Sequence, residues 1–247
     1  MDPERVKAFM ASAKAWKEMV GSRHEEAAQF HEVAKALYTP DDLQFQVHLR
    51  AIEIHRRVIK HGSLHAHMDT VRAEQIRGWM WPIELQMLAY LAAGMRSICE
   101  IGSAFGRSTR ALGDHVAKPN GRVYAIDSWA GAGHFSSITN EVNGEDDFNV
   151  FKVNLQDLID AGTVIPIRMK SKEAAEKLKG SQYDMVFIDG DHSYAACRSD
   201  IKLFGPMLGS GSLLVGHDYY QLGVFRAVKE EIGNVDGVWG RLWWVRM

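Results

Sequence analysis

The chain has 247 residues, room for one large α/β domain with a helical extension, and its 46% hydrophobic and 24% charged composition is globular and excludes a disordered class. A formal net charge of -2 and a pI near 6.6 give no electrostatic reason to bind nucleic acid or an anionic membrane, which leaves small molecules as the expected partners. Cys99 and Cys197 lack any metal-ligand or disulfide spacing, no stretch is long and apolar enough to span a bilayer, and the polar start Met1-Asp2-Pro3-Glu4-Arg5 lacks a signal-peptide core, so a cytoplasmic location is expected.

Residues 1–80 read as helical. Val6, Phe9, Met10, Ala13, Trp16 and Val20 follow the spacing of an amphipathic helix, and Pro40 interrupts the pattern. A second helix is expected from Asp41 and Asp42, which suit an N-terminal cap, toward His61-Gly62. This region is expected to form a cap or oligomerisation element on a second region, 81–247. There Pro82 suits a first helical turn and Gly94 a helix end. Apolar runs at 97–101, 122–126, 164–167, 185–188 and 212–215 then alternate with helix-like segments, and 238–247 reads as one or two closing strands. That order implies a Rossmann-like, doubly wound, mostly parallel sheet, of seven strands if the closing segment supplies two, with ligands bound beyond the carboxyl ends of the strands.

The first run ends in Glu100-Ile101-Gly102-Ser103-Ala104-Phe105-Gly106-Arg107-Ser108-Thr109. Glycines permit a sharp turn and a close ligand, and a helix starting near Gly106 or Arg107 offers free N–H groups. Neither the dinucleotide GxGxxG spacing nor a P-loop lysine is present. The second run ends at Asp127, where a carboxylate can accept both hydroxyls of a ribose if the two strands are neighbours. A lone aspartate at such a position is more often a helix cap, but the glycine turn beside it favours the ligand reading. The fourth run leads into Asp189-Gly190-Asp191-His192, and His217-Asp218 follow the fifth. His192 is the natural general base, being an imidazole in a loop with two carboxylates. The segment 129–147 is expected to be a mobile loop over the pocket. Trp243-Trp244 are expected to alternate across a strand, and His61, His65 and His67 carry no ligand spacing.

The stretches Glu100-x-Gly102-x-x-x-Gly106-x-Ser108, Ile126-Asp127-Ser128-Trp129 and Phe187-Ile188-Asp189-Gly190-Asp191-His192-Ser193-Tyr194 resemble the bacterial class I methyltransferases of the cephalosporin hydroxylase and macrocin O-methyltransferase type. The resemblance covers about 80–232. It implies S-adenosylmethionine as cofactor, bound by Glu100, Gly102, Ser103, Gly106, Ser108, Asp127, Ser128, Ser171 and Asp189. Within that set the ribose lies on Asp127 and the adenine near Ser171. It also implies a divalent cation, magnesium or manganese, held by Asp189, His217 and Asp218. His217 departs from the pattern, since relatives carry a carboxylate or amide pair there. His192 and Asp189 are the expected catalytic residues, the acceptor is a small molecule methylated on oxygen, and the protein is expected to be a homo-oligomer. Two other classes remain open at this point. A nicotinamide-dependent oxidoreductase would share the strand, turn and acid but want the missing glycine spacing, and a binding or scaffold protein would keep the pocket without turnover.

Overall fold

A computed structural model describes residues 24–36, 38, 42, 43, 45–49, 52, 68–130 and 147–247. The expectations for helix 1–20, for most of the loop 129–147 and for His61, His65 and His67 lie outside these residues. The elements are α1 (His24–Lys35), α2 (Val71–Glu74), α3 (Pro82–Ala92), β1 (Ser97–Ile101), α4 (Arg107–His115), β2 (Arg122–Asp127), α5 (Asp147–Asp160), β3 (Val164–Arg168), α6 (Ser171–Lys177), β4 (Tyr183–Ile188), α7 (Tyr194–Phe204), β5 (Leu208–Gly216), α8 (Leu222–Glu231), β6 (Gly237–Trp239) and β7 (Leu242–Arg246).

Seven strands form one sheet in the order β3-β2-β1-β4-β5-β7-β6. The first five in that order pair in parallel, while β7 runs antiparallel to both β5 and β6. Period-two alternation splits each central strand between two cores. Met185 and Phe187 of β4 join Ile98, Val123, Leu112, Phe151 and Leu155 on one face. Val186 and Ile188 join Cys99, Ile126, Cys197, Ile201 and Val224 on the other. Because both faces are covered, the strands are near-continuous apolar runs, which is why they stand out in the sequence. Both cysteines are buried free thiols.

Strand β5 begins four residues before the apolar run at 212–215, because the half-buried Leu208 that opens it is separated from that run by Gly209 and the exposed Ser210 and Gly211. The closing segment forms two strands. Trp243 is fully buried and Trp244 half-buried, as alternation across a strand requires. The region before 81 packs on the same cores, Val47 on one and Ala73, Ile76 and Met80 on the other. Arg107, at the start of α4, donates to the carbonyls of Glu74 (2.7 Å), Ile76 (2.6 Å) and Met80 (3.0 Å), which ties 70–80 to the glycine turn. Among the described residues no helix is long and apolar enough to cross a membrane.

Candidate active site

The chain leaves β1 toward β2 and β3 on one side and later returns to β4 and β5 on the other, so the sheet's topological switch lies between β1 and β4. Their carboxyl ends are stitched together. Gly102 N–H donates to Ile126 O (2.8 Å), Asp189 N–H to Ile101 O (2.8 Å) and His217 N–H to Ile188 O (3.1 Å). One rim therefore collects Gly102, Asp127, Asp189, His192, His217 and Asp218.

The cofactor-type half of the rim is built on left-handed backbone. Gly102 and Gly106 both have φ near +91°, and a Cβ on Gly102 would stand 2.2 Å from the Asp189 carbonyl oxygen. The glycine is thus required by the loop after β4, which crosses directly against it. Two non-glycine residues share this conformation, Ala104 (φ +42°) and Trp129 (φ +44°), at a cost of about 1–3 kcal/mol each. Asp127 holds both: Oδ2 accepts from Ala104 N–H (3.0 Å) and Oδ1 from Trp129 N–H (2.8 Å). The Trp129 indole N–H then donates to Ala104 O (2.7 Å), and the Asn154 amide donates to Phe105 O (2.9 Å). Two of the roughly four acceptor positions of the Asp127 carboxylate remain for a ligand. Trp129 itself is buried against Phe148 and Phe151, so the segment expected to be mobile starts from an anchored residue.

Glu100, Ser103 and Ser108 are buried. The Glu100 carboxylate accepts from Ser103 Oγ (2.8 Å) and Thr109 Oγ1 (2.5 Å), bracing the turn from beneath. Burial raises its carboxyl to about 7 against the opposing hydrogen bonds from Ser108, Thr109 and Ser103. Ser128 lies on the rim, half-buried, and its hydroxyl accepts weakly from Ala130 N–H (3.4 Å). Ser171 is the first residue of α6, whose cap position is taken by Lys170.

On the other half of the rim, Asp189, His192 and Asp218 converge. His192 Nε2 lies 3.2 Å from Asp218 Oδ2 and 3.5 Å from Asp189 Oδ1. One ligand atom from each of the three falls within 4.8 Å of the others, a spacing that admits a single cation. Asp218 has φ +52° and its Oδ2 accepts from the Gln221 amide (2.8 Å). Burial alone would lower the His192 pKa, but the neighbouring carboxylates of Asp189 and Asp218 outweigh it, so the imidazole is a stronger base than usual.

His217 lies beside the two residues its position implied, with its Nδ1 3.6 Å from Asp218 Oδ1. Its Nε2 lies 3.2 Å from Glu84 Oε2 and its Nδ1 3.3 Å from Asp189 Oδ1, so each ring nitrogen already faces a carboxylate. Burial opposes the charged form, yet Asp189 and then Asp218 outweigh it and raise the pKa to about 10. A ring protonated on both nitrogens donates to carboxylates, and a cation there would have to displace the proton on Nδ1. Geometry also brings His192 to Asp189 and Asp218, as a second nitrogen donor beside them.

Glu84 and Arg241 went unnoticed in the sequence. Glu84 has one local signal, its place three residues after Trp81 at the start of α3, where Oε2 accepts Trp81 N–H (2.8 Å). Arg241 has none, since it meets Glu84 across 157 residues of chain.

Residues 99–219 match a family model described as a methyltransferase domain. No curated protein matches. Among solved structures, a putative O-methyltransferase from Klebsiella pneumoniae is similar with a TM-score of 0.53 and 18% identity, over 87% of this chain and 95% of that one. An O-methyltransferase from Bacillus cereus in complex with SAH has a TM-score of 0.52 and 14% identity, over 87% and 96%. An O-methyltransferase of tomaymycin synthesis from Streptomyces achromogenes, in complex with SAM, has a TM-score of 0.51 and 15% identity, over 85% and 91%.

Proposed function

We propose that this chain, whose residues 99–219 match a methyltransferase-domain model and whose sheet is Rossmann-like, transfers the methyl group of S-adenosylmethionine to an oxygen of a small molecule. The observation that carries this reading is the juxtaposition of the Gly102 turn and the Asp127 carboxylate at the sheet's switch point. It suits a nucleoside lying over the ends of β1 and β2. The cofactor supplies an electrophilic methyl group on a sulfonium. The chain supplies position: the free acceptor sites of Asp127 for the ribose, backbone N–H groups at the start of α4, and Ser128 and Ser171 along the adenine side. Glu100, Ser103 and Ser108 serve the cofactor by shaping the turn.

Asp189, His192 and Asp218 form the acceptor side. They suit a divalent cation, and their mixed oxygen and nitrogen donors favour manganese over magnesium without excluding the latter. Such an ion would polarise an acceptor hydroxyl. A second reading rests on the strengthened basicity of His192: without an ion, its Nε2 would take the hydroxyl proton while Asp189 and Asp218 hold the imidazolium that results. Residues 1–80 act as a helical cap or oligomerisation element, a role supported by their helical pattern and by the packing of Val47 and 73–80 on the domain.

The cofactor assignment is tested by calorimetry with S-adenosylhomocysteine. Asp127→Ala is expected to weaken binding by about 1–3 kcal/mol, the scale of lost charge-assisted hydrogen bonds, which is roughly 5- to 150-fold in affinity. Asp127→Asn, which can still accept from one loop N–H, is expected to fall in between. Wild-type affinity in both variants would remove Asp127 from the ligand site.

A further inference from the structure

Glu84 and Arg241 lie on either side of the matched segment 99–219 in sequence, yet both are buried against its His217 and Asp218. Glu84 Oε1 accepts from Arg241 N–H (2.7 Å) and Nε–H (2.9 Å), and Oε2 accepts from Trp81 N–H and Arg241 Nη2–H (2.8 Å each). The remaining neighbour of Oε2 is His217 Nε2. Arg241 continues to the Trp79 carbonyl, reaches toward Asp218 Oδ1 at 3.5 Å, and stacks its guanidinium 4.5 Å over the Trp81 ring. Gly240, at φ +56°, closes the β6–β7 turn onto Glu84, where a Cβ would come within 2.6 Å of Glu84 Cγ. Such a saturated carboxylate cannot rotate. The His217 ring is therefore held at one nitrogen by a fixed partner, and its other nitrogen meets Asp189.

We propose that Glu84, locked by Arg241, is a positioning residue for the acceptor side of the site: it aims His217 at Asp189 and so sets where the Asp189, His192 and Asp218 ligand atoms converge. The convergence as a cation site rests on the function proposed above; the strut itself does not. None of the hydrogen bonds of Glu84 goes to the Gly102 turn or to Asp127, which are braced by Glu100, Trp129 and Asn154. The two supports meet only at the backbone of 79–81, where the Met80 carbonyl accepts from Arg107, so a change at Glu84 that keeps the side chain's shape should leave the cofactor half intact.

Glu84→Gln in the full chain tests this, because an amide keeps the shape of Glu84 but must turn an NH2 group toward either Arg241 or His217. Three readouts are compared with wild type: calorimetric affinity for S-adenosylhomocysteine, Mn2+ affinity by electron paramagnetic resonance, and the His217 ring N–H resonances in histidine-15N-labelled protein, assigned by their loss in His217→Asn. The expected result is S-adenosylhomocysteine affinity within about twofold, loss of the protected His217 N–H signals, and Mn2+ binding weakened at least tenfold, the coupling known for residues that orient metal ligands. Unchanged His217 signals, or unchanged Mn2+ affinity, overturn the proposal. If wild type binds no Mn2+, the cation reading falls and the His217 signals alone decide: their loss in Glu84→Gln supports the strut and their persistence overturns it. Should Glu84→Gln fail to fold, the double variant Glu84→Met with Arg241→Met removes the ion pair as a unit and leaves no buried charge unpaired. It faces the same criteria.

Discussion

Replacing Gly102 by Val is expected to abolish cofactor binding and to destabilise the domain by about 3 kcal/mol or more, since overpacking and a strained φ act together. The residue sits at φ +91°, where a β-branched side chain is an outlier, and its Cβ would come 2.2 Å from the Asp189 carbonyl and 2.7 Å from Gly190 Cα. Both obstacles are backbone at the end of β4, so no side chain can rotate to make room. Relief requires β1 and β4 to part at their carboxyl ends, which would break the Asp189 N–H to Ile101 O bond and separate the two halves of the rim. Thermal unfolding and calorimetry with S-adenosylhomocysteine check this. A variant with the wild-type melting temperature and affinity would mean that the turn has slack the geometry does not allow. Gly102→Ala should be damaging for the same reason, which distinguishes this cause from simple intrusion into a ligand space.

The second large effect is expected at Asp218. Asp218→Ala removes a carboxylate that faces His192 Nε2 at 3.2 Å and one of three converging ligand atoms. Turnover is expected to fall by about 10²-fold or more, the range for losing an acid–base group or its equivalent at a reacting hydroxyl. The accompanying chelator experiment separates the two acceptor-side readings. With a cation at the site, chelator stops wild-type turnover, added Mn2+ restores it, and Asp218→Ala cannot be restored. With His192 as a metal-free base, chelator has no effect and His192→Ala alone is fatal. Retention of wild-type turnover in both Asp218→Ala and His192→Ala would place the methyl acceptor elsewhere.

Much of the frame was legible because buried parallel strands write themselves as apolar runs and because strand ends carry the ligand residues. The glycine turn, Asp127 and the loop from Asp189 to His192 were found for that reason, and the structure places them on one rim. What escaped notice depends on partners distant in sequence. Trp129 looked like the start of a mobile loop because nothing local shows that Phe148 and Phe151 cover it or that Asp127 and Ala104 fix its backbone and indole. The family resemblance put His217 beside Asp189 and Asp218, where its Nδ1 does lie, but nothing local shows what holds the ring. Glu84, which occupies its other nitrogen, arrives from a helix 133 residues earlier. Conversely, His192 lies within reach of Asp218 only through the parallel pairing of β4 and β5.

The central claim is that the pocket over Gly102 and Asp127 takes S-adenosylmethionine. The most direct measurement is a pair of calorimetric titrations of the wild-type chain, one with S-adenosylmethionine and one with NAD. The account predicts saturable one-to-one binding of S-adenosylmethionine, competed by S-adenosylhomocysteine, and no heat of binding with NAD. Binding of NAD with no response to S-adenosylmethionine would contradict it.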